Sequence, residues 1–92
     1  MQFEWDVNKN NINKQKHKVS FDLAKQIFFD KYRLEYYDYE NSDEEDRWIT
    51  IGKIDTIFIK AFFTIRKDNI RLISARLANA KERNYYRLQF RY

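Results

Sequence analysis

Two runs of strand-forming residues, Ile57 to Arg66 and Ile70 to Ala75, are separated only by Lys67-Asp68-Asn69. A polar break this short leaves one option: the chain turns back and the two runs pair antiparallel. Side chains alternate across a strand, so Ile57, Ile59, Ala61, Phe63 and Ile65 share one face. Phe58, Phe62 and Thr64 share the other face with Lys60 and Arg66, so both faces of this strand are at least partly covered. On the returning strand the same alternation groups Leu72, Ser74 and Arg76. Leu72 is the apolar anchor of that face, and Ser74 and Arg76 lead from it toward the end of the strand.

The remaining elements follow from periodicity and punctuation. Phe3 and Trp5 alternate with polar neighbours in a short strand or extended lead-in, and helical composition runs from about Val7 to Lys16. Lys16 and His17 suit a helix C-terminus, where cations meet the negative end of the dipole. Ser20 is a credible N-cap, and Phe21, Ala24, Ile27 and Phe28 form one apolar stripe of a second helix over residues 21–29. Tyr32 to Tyr39 is rich in aromatic strand formers, Asn41 to Asp46 is a polar loop, and Arg47 to Gly52 reads as a strand. A C-terminal helix is expected over residues 78–90. The predicted fold class is therefore α+β: two N-terminal helices, a four-stranded, largely antiparallel sheet and a C-terminal helix. With no proline and one glycine there is neither a flexible linker nor a Gly-rich phosphate loop, and residues 1–92 are expected to form a single domain.

Eight Phe, seven Tyr and two Trp must supply the packing, since the absence of cysteine removes both disulfides and thiolate metal sites. The single histidine and the spacing of the acidic residues leave no recognisable ligand set, so no metal and no cofactor is expected. The N-terminus lacks the features of a signal peptide and no apolar stretch approaches membrane-spanning length, which predicts a cytoplasmic chain with no membrane partner. The net charge of +4 conceals a strong asymmetry. Residues 1–46 carry seven Lys/Arg against eleven Asp/Glu, whereas residues 47–92 carry eleven against three. The basic half can attract a polyanion, and the cluster Asp43-Glu44-Glu45-Asp46 is either a solvated loop or a partner for basic groups.

Within that basic half, Arg76 at a strand end can face Arg83 on the following helix across a cleft. Two guanidinium groups aimed at one volume need an anion, and Arg is suited to bidentate phosphate contacts. The competing reading pairs Arg76 with Glu82 or with the 43–46 cluster and leaves Arg83 and Arg87 on a solvated outer face. His17 is the one side chain whose unperturbed pKa lies near neutrality, so it is either a general acid or base or a structural residue at a helix end.

The ordered set of motifs resembles a known family. Phe3-Glu4-Trp5-Asp6, Lys9, Asn13, Lys16-His17, Val19-Ser20-Phe21, Ala24, Phe28, Glu45, Arg47, Ile51-Gly52, Thr64, Arg66, Arg71, Ile73-Ser74-Ala75-Arg76, Ala78, Glu82-Arg83 and Tyr86 are similar to the pattern of BrnT toxins. The resemblance runs over essentially the whole chain. It implies a RelE-like fold, ribonuclease activity that arrests translation, RNA as substrate, and neutralisation by a BrnA-type antitoxin. DNA would be contacted only indirectly, through that antitoxin. Carried onto this sequence, the resemblance marks Lys16, His17, Arg47, Arg66, Arg76, Arg83 and Tyr86. In a metal-independent attack of a ribose 2′-OH, Arg76 and Arg83 are expected to stabilise the phosphate. Arg47, Arg66 and Arg87 are assigned to RNA binding, His17 or Lys16 to proton transfer, and Tyr86 to base stacking or proton assistance. The alternative is a non-catalytic partner-binding module or corepressor. One departure is visible: the family commonly has Asp-Pro where this chain has Asp30-Lys31, which predicts a less sharp end to the second helix.

Overall fold

The computed structural model describes residues 2–91. In chain order the elements are β1 (Phe3–Glu4), α1 (Val7–His17), α2 (Phe21–Ala24), a 3₁₀ segment (Lys25–Phe29), β2 (Leu34–Tyr37), β3 (Trp48–Ile54), β4 (Ile57–Arg66), β5 (Asn69–Leu77) and α3 (Ala80–Leu88). The strands form one sheet in the order β1-β5-β4-β3-β2. The α+β class holds, but the sheet has five strands and is mixed, because the N-terminal lead-in adds to β5 in parallel, with Phe3 opposite Ile70.

Local chemistry explains most boundaries. Asp6 caps α1 by accepting from the amides of Asn8 and Lys9, and Lys18 closes it in the left-handed region. Ser20 caps α2 through the Leu23 amide at 3.0 Å. The second helix keeps its 21–29 span but is α-helical only to Ala24. Ala24 and Ile27 are both fully buried and lie three residues apart. A 3₁₀ turn stacks such positions directly above one another. Its end is sharp even without the proline: Asp30 is extended, and its carboxylate accepts from the amides of Tyr32 and Lys53 and the hydroxyl of Tyr86. The C-terminal helix spans Ala80–Leu88, and its start is set two residues later than expected by the reciprocal capping box of Asn79 and Glu82. The β4–β5 hairpin turns on Lys67 and Asp68, both of which adopt left-handed backbone conformations. Such a pair matches the twist of the flanking strands.

The helices divide the sheet into two unlike faces. On one, α1, α2 and the 3₁₀ segment cover Ile59, Ala61 and Phe63 of β4 and Ile70, Leu72 and Ala75 of β5. Each such side chain, fully buried, contributes roughly 1.5–3 kcal/mol when it is as large as Leu, Ile or Phe. Gly52 belongs to this face because the backbones approach closely: a Cβ there would lie 2.7 Å from Ile27 Cβ. On the other face α3 covers only one end, packing Tyr86 and Ala78 against Ile51 and Phe58.

Strand β5 does not keep the alternation its sequence suggests. Phe62 pairs with Ser74 but Phe63 pairs with Leu72, so Ile73 is an extra residue. Such a bulge reverses the facing of everything beyond it. Leu72 and Ala75 therefore both enter the core, and Arg76 is delivered to the opposite face from Leu72, which corrects the expected grouping of residues 72, 74 and 76.

One buried polar side chain ties α1 to this edge. Asn13, 5% exposed, donates to the carbonyls of Val19 (2.8 Å) and Ala75 (2.7 Å). Its Oδ1 accepts from the Ala75 amide (3.1 Å) and the Ser74 hydroxyl (3.2 Å). The amide thus meets both backbone groups of Ala75 as a neighbouring strand would.

Candidate active site

The half-open face of the sheet collects the cations. Cross-strand register sets Lys60 between Arg76 and Ile51, and Phe62 beside Ile49, which in turn faces Tyr36. Thr64 lies opposite Arg71, and alternation places Arg66 on β4 and Arg47, just before β3, on this same face. An apolar and aromatic stripe of Phe62, Ile49 and Tyr36 thus lies between two cationic rows.

Glu82 of α3 organises the first row. Its carboxylate accepts from Arg76 Nη1 and Nη2 at 2.7 and 2.8 Å and from Lys60 Nζ at 2.8 Å. The same carboxylate takes the Asn79 amide at 2.9 Å, so the helix cap and the cation cluster share one group. Burial alone would raise the Glu82 pKa, but the hydrogen bonds from Arg76, Lys60 and Asn79 outweigh it and hold the carboxyl at about 2. The Arg76 guanidinium is correspondingly raised, chiefly by its hydrogen bonds to Glu82. Lys60 Nζ also lies 5.3 Å from the centroid of the Phe62 ring.

Two cavities flank this cluster. One, of about 560 Å³, is bounded by Tyr36, Ile51, Tyr85 and Leu88 with Glu82 and Lys81. The other, of about 530 Å³, is bounded by Tyr36, Tyr37, Ile49, Phe62 and Lys60 with Asp38. Tyr36 is common to both.

The expected site residues separate into four places. Arg76, Arg47 and Arg66 share the cationic face, but Arg66 is held by Glu45 at 3.1 Å, whereas Arg47 Nε is buried with no hydrogen-bond partner among the described residues. Arg83 does not face Arg76: its Nη1 donates to the Ala78 carbonyl at 2.8 Å, beside Leu77 and Phe58, and Arg76 turns to Glu82 instead. Arg87 lies on α3 with its guanidinium 5.0 Å from the Phe58 ring centroid. Lys16 and His17 line a shallow cavity with Asn13, Ile73 and Ser74 at the β5 edge, apart from the Arg76 cluster. Tyr86 is 4% exposed, and its hydroxyl donates to Asp30 at 2.6 Å. No base can stack on it there. Burial and the anionic acceptor raise the pKa of its phenol, while Asp30 is lowered because the three hydrogen bonds it accepts overcome its own desolvation.

Lys60, Tyr36 and Phe62 lie outside the set of residues expected from the sequence, although a lysine in the middle of the apolar run Ile57 to Ile65 is a usable signal. No helix among the described residues is long and apolar enough to cross a membrane.

The family model described as "Ribonuclease toxin, BrnT, of type II toxin-antitoxin system" matches residues 5–82. No curated protein matches the chain. The matched span contains Lys16, His17, Arg47, Lys60, Arg66, Arg76 and Glu82 and ends before Arg83, Tyr86 and Arg87. The chain therefore belongs to the BrnT family of ribonuclease toxins of type II toxin-antitoxin systems.

Proposed function

We propose that this chain is a metal-independent endoribonuclease, a single toxin domain acting in the cytoplasm, which cleaves RNA and so arrests translation. A ribose 2′-OH loses its proton and bonds to the adjacent phosphorus, and the P–O5′ bond breaks as the 5′-oxygen takes up a proton. The developing charge calls for preorganised cations, which is a task for guanidinium and ammonium groups and needs no metal. The observation that carries the reading is the pairing of Arg76 with Lys60 on an open sheet face, both fixed by Glu82. Arg47 extends that cradle, and Arg66, Arg83 and Arg87 guide RNA along the basic half. His17, the only imidazole, and Lys16 lie at the β5 edge apart from the Arg76 cluster, so they contact RNA that passes that edge, and proton transfer at a phosphate held by Arg76 and Lys60 falls to other groups. Tyr86 takes a structural role, since its hydroxyl is committed to Asp30.

A BrnA-type antitoxin covers the basic face in this reading, and DNA is met only through it. Acidic antitoxin groups would substitute for RNA phosphates on arginines that are costly to bury without an anion.

The test is incubation of purified, antitoxin-free protein with RNA in EDTA. Cleavage should persist and leave 2′,3′-cyclic phosphate ends, and 2′-O-methylation at the cleaved nucleotide should block it. Activity abolished by chelator and restored by a divalent ion would overturn the metal-independent mechanism. A second reading, a non-catalytic module, draws on the bidentate capture of Arg76 by Glu82, which leaves that guanidinium already paired. In that case Arg76→Ala would weaken partner binding, and no RNA would be cleaved by the parent.

A further inference from the structure

We propose that the two cavities either side of the Lys60–Glu82 pair seat unpaired bases of a single-stranded RNA. Tyr36 is their shared stacking surface, and the intervening phosphate rests on Lys60 and Arg76. The inference builds on the ribonuclease reading and specifies the form of RNA that the site accepts.

Both cavities have the size of ordinary small-ligand sites, which begin at roughly 300 Å³. Their walls suit flat rings. Tyr36, Tyr85, Ile51 and Leu88 form the apolar boundary of one, and Tyr36, Tyr37, Phe62 and Ile49 that of the other. Tyr36 belongs to edge strand β2 and is 37% exposed, so part of its ring is open to an incoming partner. Around this stripe stand Lys60, Arg76, Arg47, Lys81 and Arg71, the last paired with Glu4 at 3.8 Å, while Asp38 and Glu40 line the second cavity. Alternating cations and aromatics are what single strands require, with phosphates on the charges and bases on the rings. A duplex keeps its base faces stacked inside and has no ring to offer Tyr36.

Glu82 adds a restraint. Two cations sharing one carboxylate leave that cluster itself with a single net positive charge, enough to attract one phosphate, while Asp38 and Glu40 in the second cavity oppose further anions there.

Binding is measured by fluorescence anisotropy with a short 2′-fluoro RNA, which lacks the attacking hydroxyl, used alone and annealed to its complement. The single strand should bind more tightly than the duplex. Tyr36→Ala should weaken single-strand binding by about 5- to 150-fold, the range for losing one base–aromatic stack, while Tyr36→Phe should stay near the parent. Should Tyr36→Ala lose its cooperative urea transition, Tyr85→Ala, at an exposed position of α3, provides the same test. Parental affinity in both alanine variants, or equal affinity for duplex and single strand, would overturn the proposal. So would variants that lose antitoxin binding but keep RNA binding, because the cavities would then belong to a protein partner. Failure of the parent to cleave natural RNA would sink the ribonuclease reading itself, whereas parental cleavage by both tyrosine variants would remove the base seats alone.

Discussion

Each face of the sheet is joined to its helix by one polar side chain, and the two are opposites. Asn13 on the α1 side is neutral, 5% exposed and fully satisfied by four hydrogen bonds. Glu82 on the α3 side is charged, half-buried, and bonded to cations as well as to its own helix cap. A neutral amide can be sealed into a core, where it specifies position and does not respond to pH. A carboxylate gathering Arg76 and Lys60 stays where solvent and ligand can reach, and its contribution depends on ionisation. The closed face thus carries the fold, and the open face carries the chemistry we propose.

The comparison breaks most readily at Asn13. Its replacement by alanine leaves the Ala75 amide and the carbonyls of Ala75 and Val19 without partners. Three orphaned groups of this kind cost about 3–5 kcal/mol, which urea denaturation would register. A near-parental urea midpoint would mean that water replaces the amide. On the open face, Arg76→Lys keeps the charge but loses the planar fork. A deficit of ~2–4 kcal/mol in transition-state stabilisation, roughly 30- to 1000-fold in cleavage rate, is expected, with less change in RNA affinity. A parental rate would remove Arg76 from the site, and a collapsed urea midpoint would restrict it to the ion pair with Glu82.

Titration should separate the faces next. The Glu82 carboxyl is held at about 2 in the folded chain against 4.5 as the ordinary value, so between those pH values the unfolded state binds more protons. Its contribution, about 3 kcal/mol before solvent screening, is fully present above roughly pH 5 and is lost as pH falls through 4.5 toward 2. Glu82→Gln should flatten that part of the acid profile; Asn13→Ala should shift the whole curve without reshaping it. Gly52→Ala should cost ~1–3 kcal/mol, because the new Cβ meets Ile27 Cβ on the packed face. Arg66→Ala should be the mildest change, under about 1 kcal/mol in stability by urea denaturation, since the pair with Glu45 is half exposed and screened.

Much of the closed face is legible before any coordinates. The 57–66 and 70–75 hairpin follows from two β runs and a polar break, and the Ser20 cap and the Phe21, Ala24, Ile27 stripe follow from local rules. The short strand at Phe3 is one of the two readings its alternation allows, but its parallel pairing with β5 is hidden because two residues carry too little pattern to set a partner. The bulge at Ile73 is hidden because an ordinary residue can occupy one, and without it Arg76 is placed on the wrong face. Asn13 leaves no trace as a linchpin because its partner Ala75 is 62 residues away. Tyr86 reads as an accessible ring because its neighbours Tyr85 and Arg87 are exposed, but it turns inward onto Phe58 and Asp30. The Arg76–Glu82 pair is one of the two readings that the spacing allows. What spacing cannot convey is that Lys60 joins it, since cross-strand neighbours depend on register.

The Asn13 contact with Ala75 also affects how copies of this chain can meet. An open sheet grows into a fibre only if each molecule offers two unpaired edges, one to accept a strand and one to pass the pattern on. Here the β5 edge is taken, by β1 at one end and by a side-chain amide further along, and β1 itself is two residues long. The β2 edge is left, so accidental pairing between molecules through these edges closes at two copies and has no way to propagate.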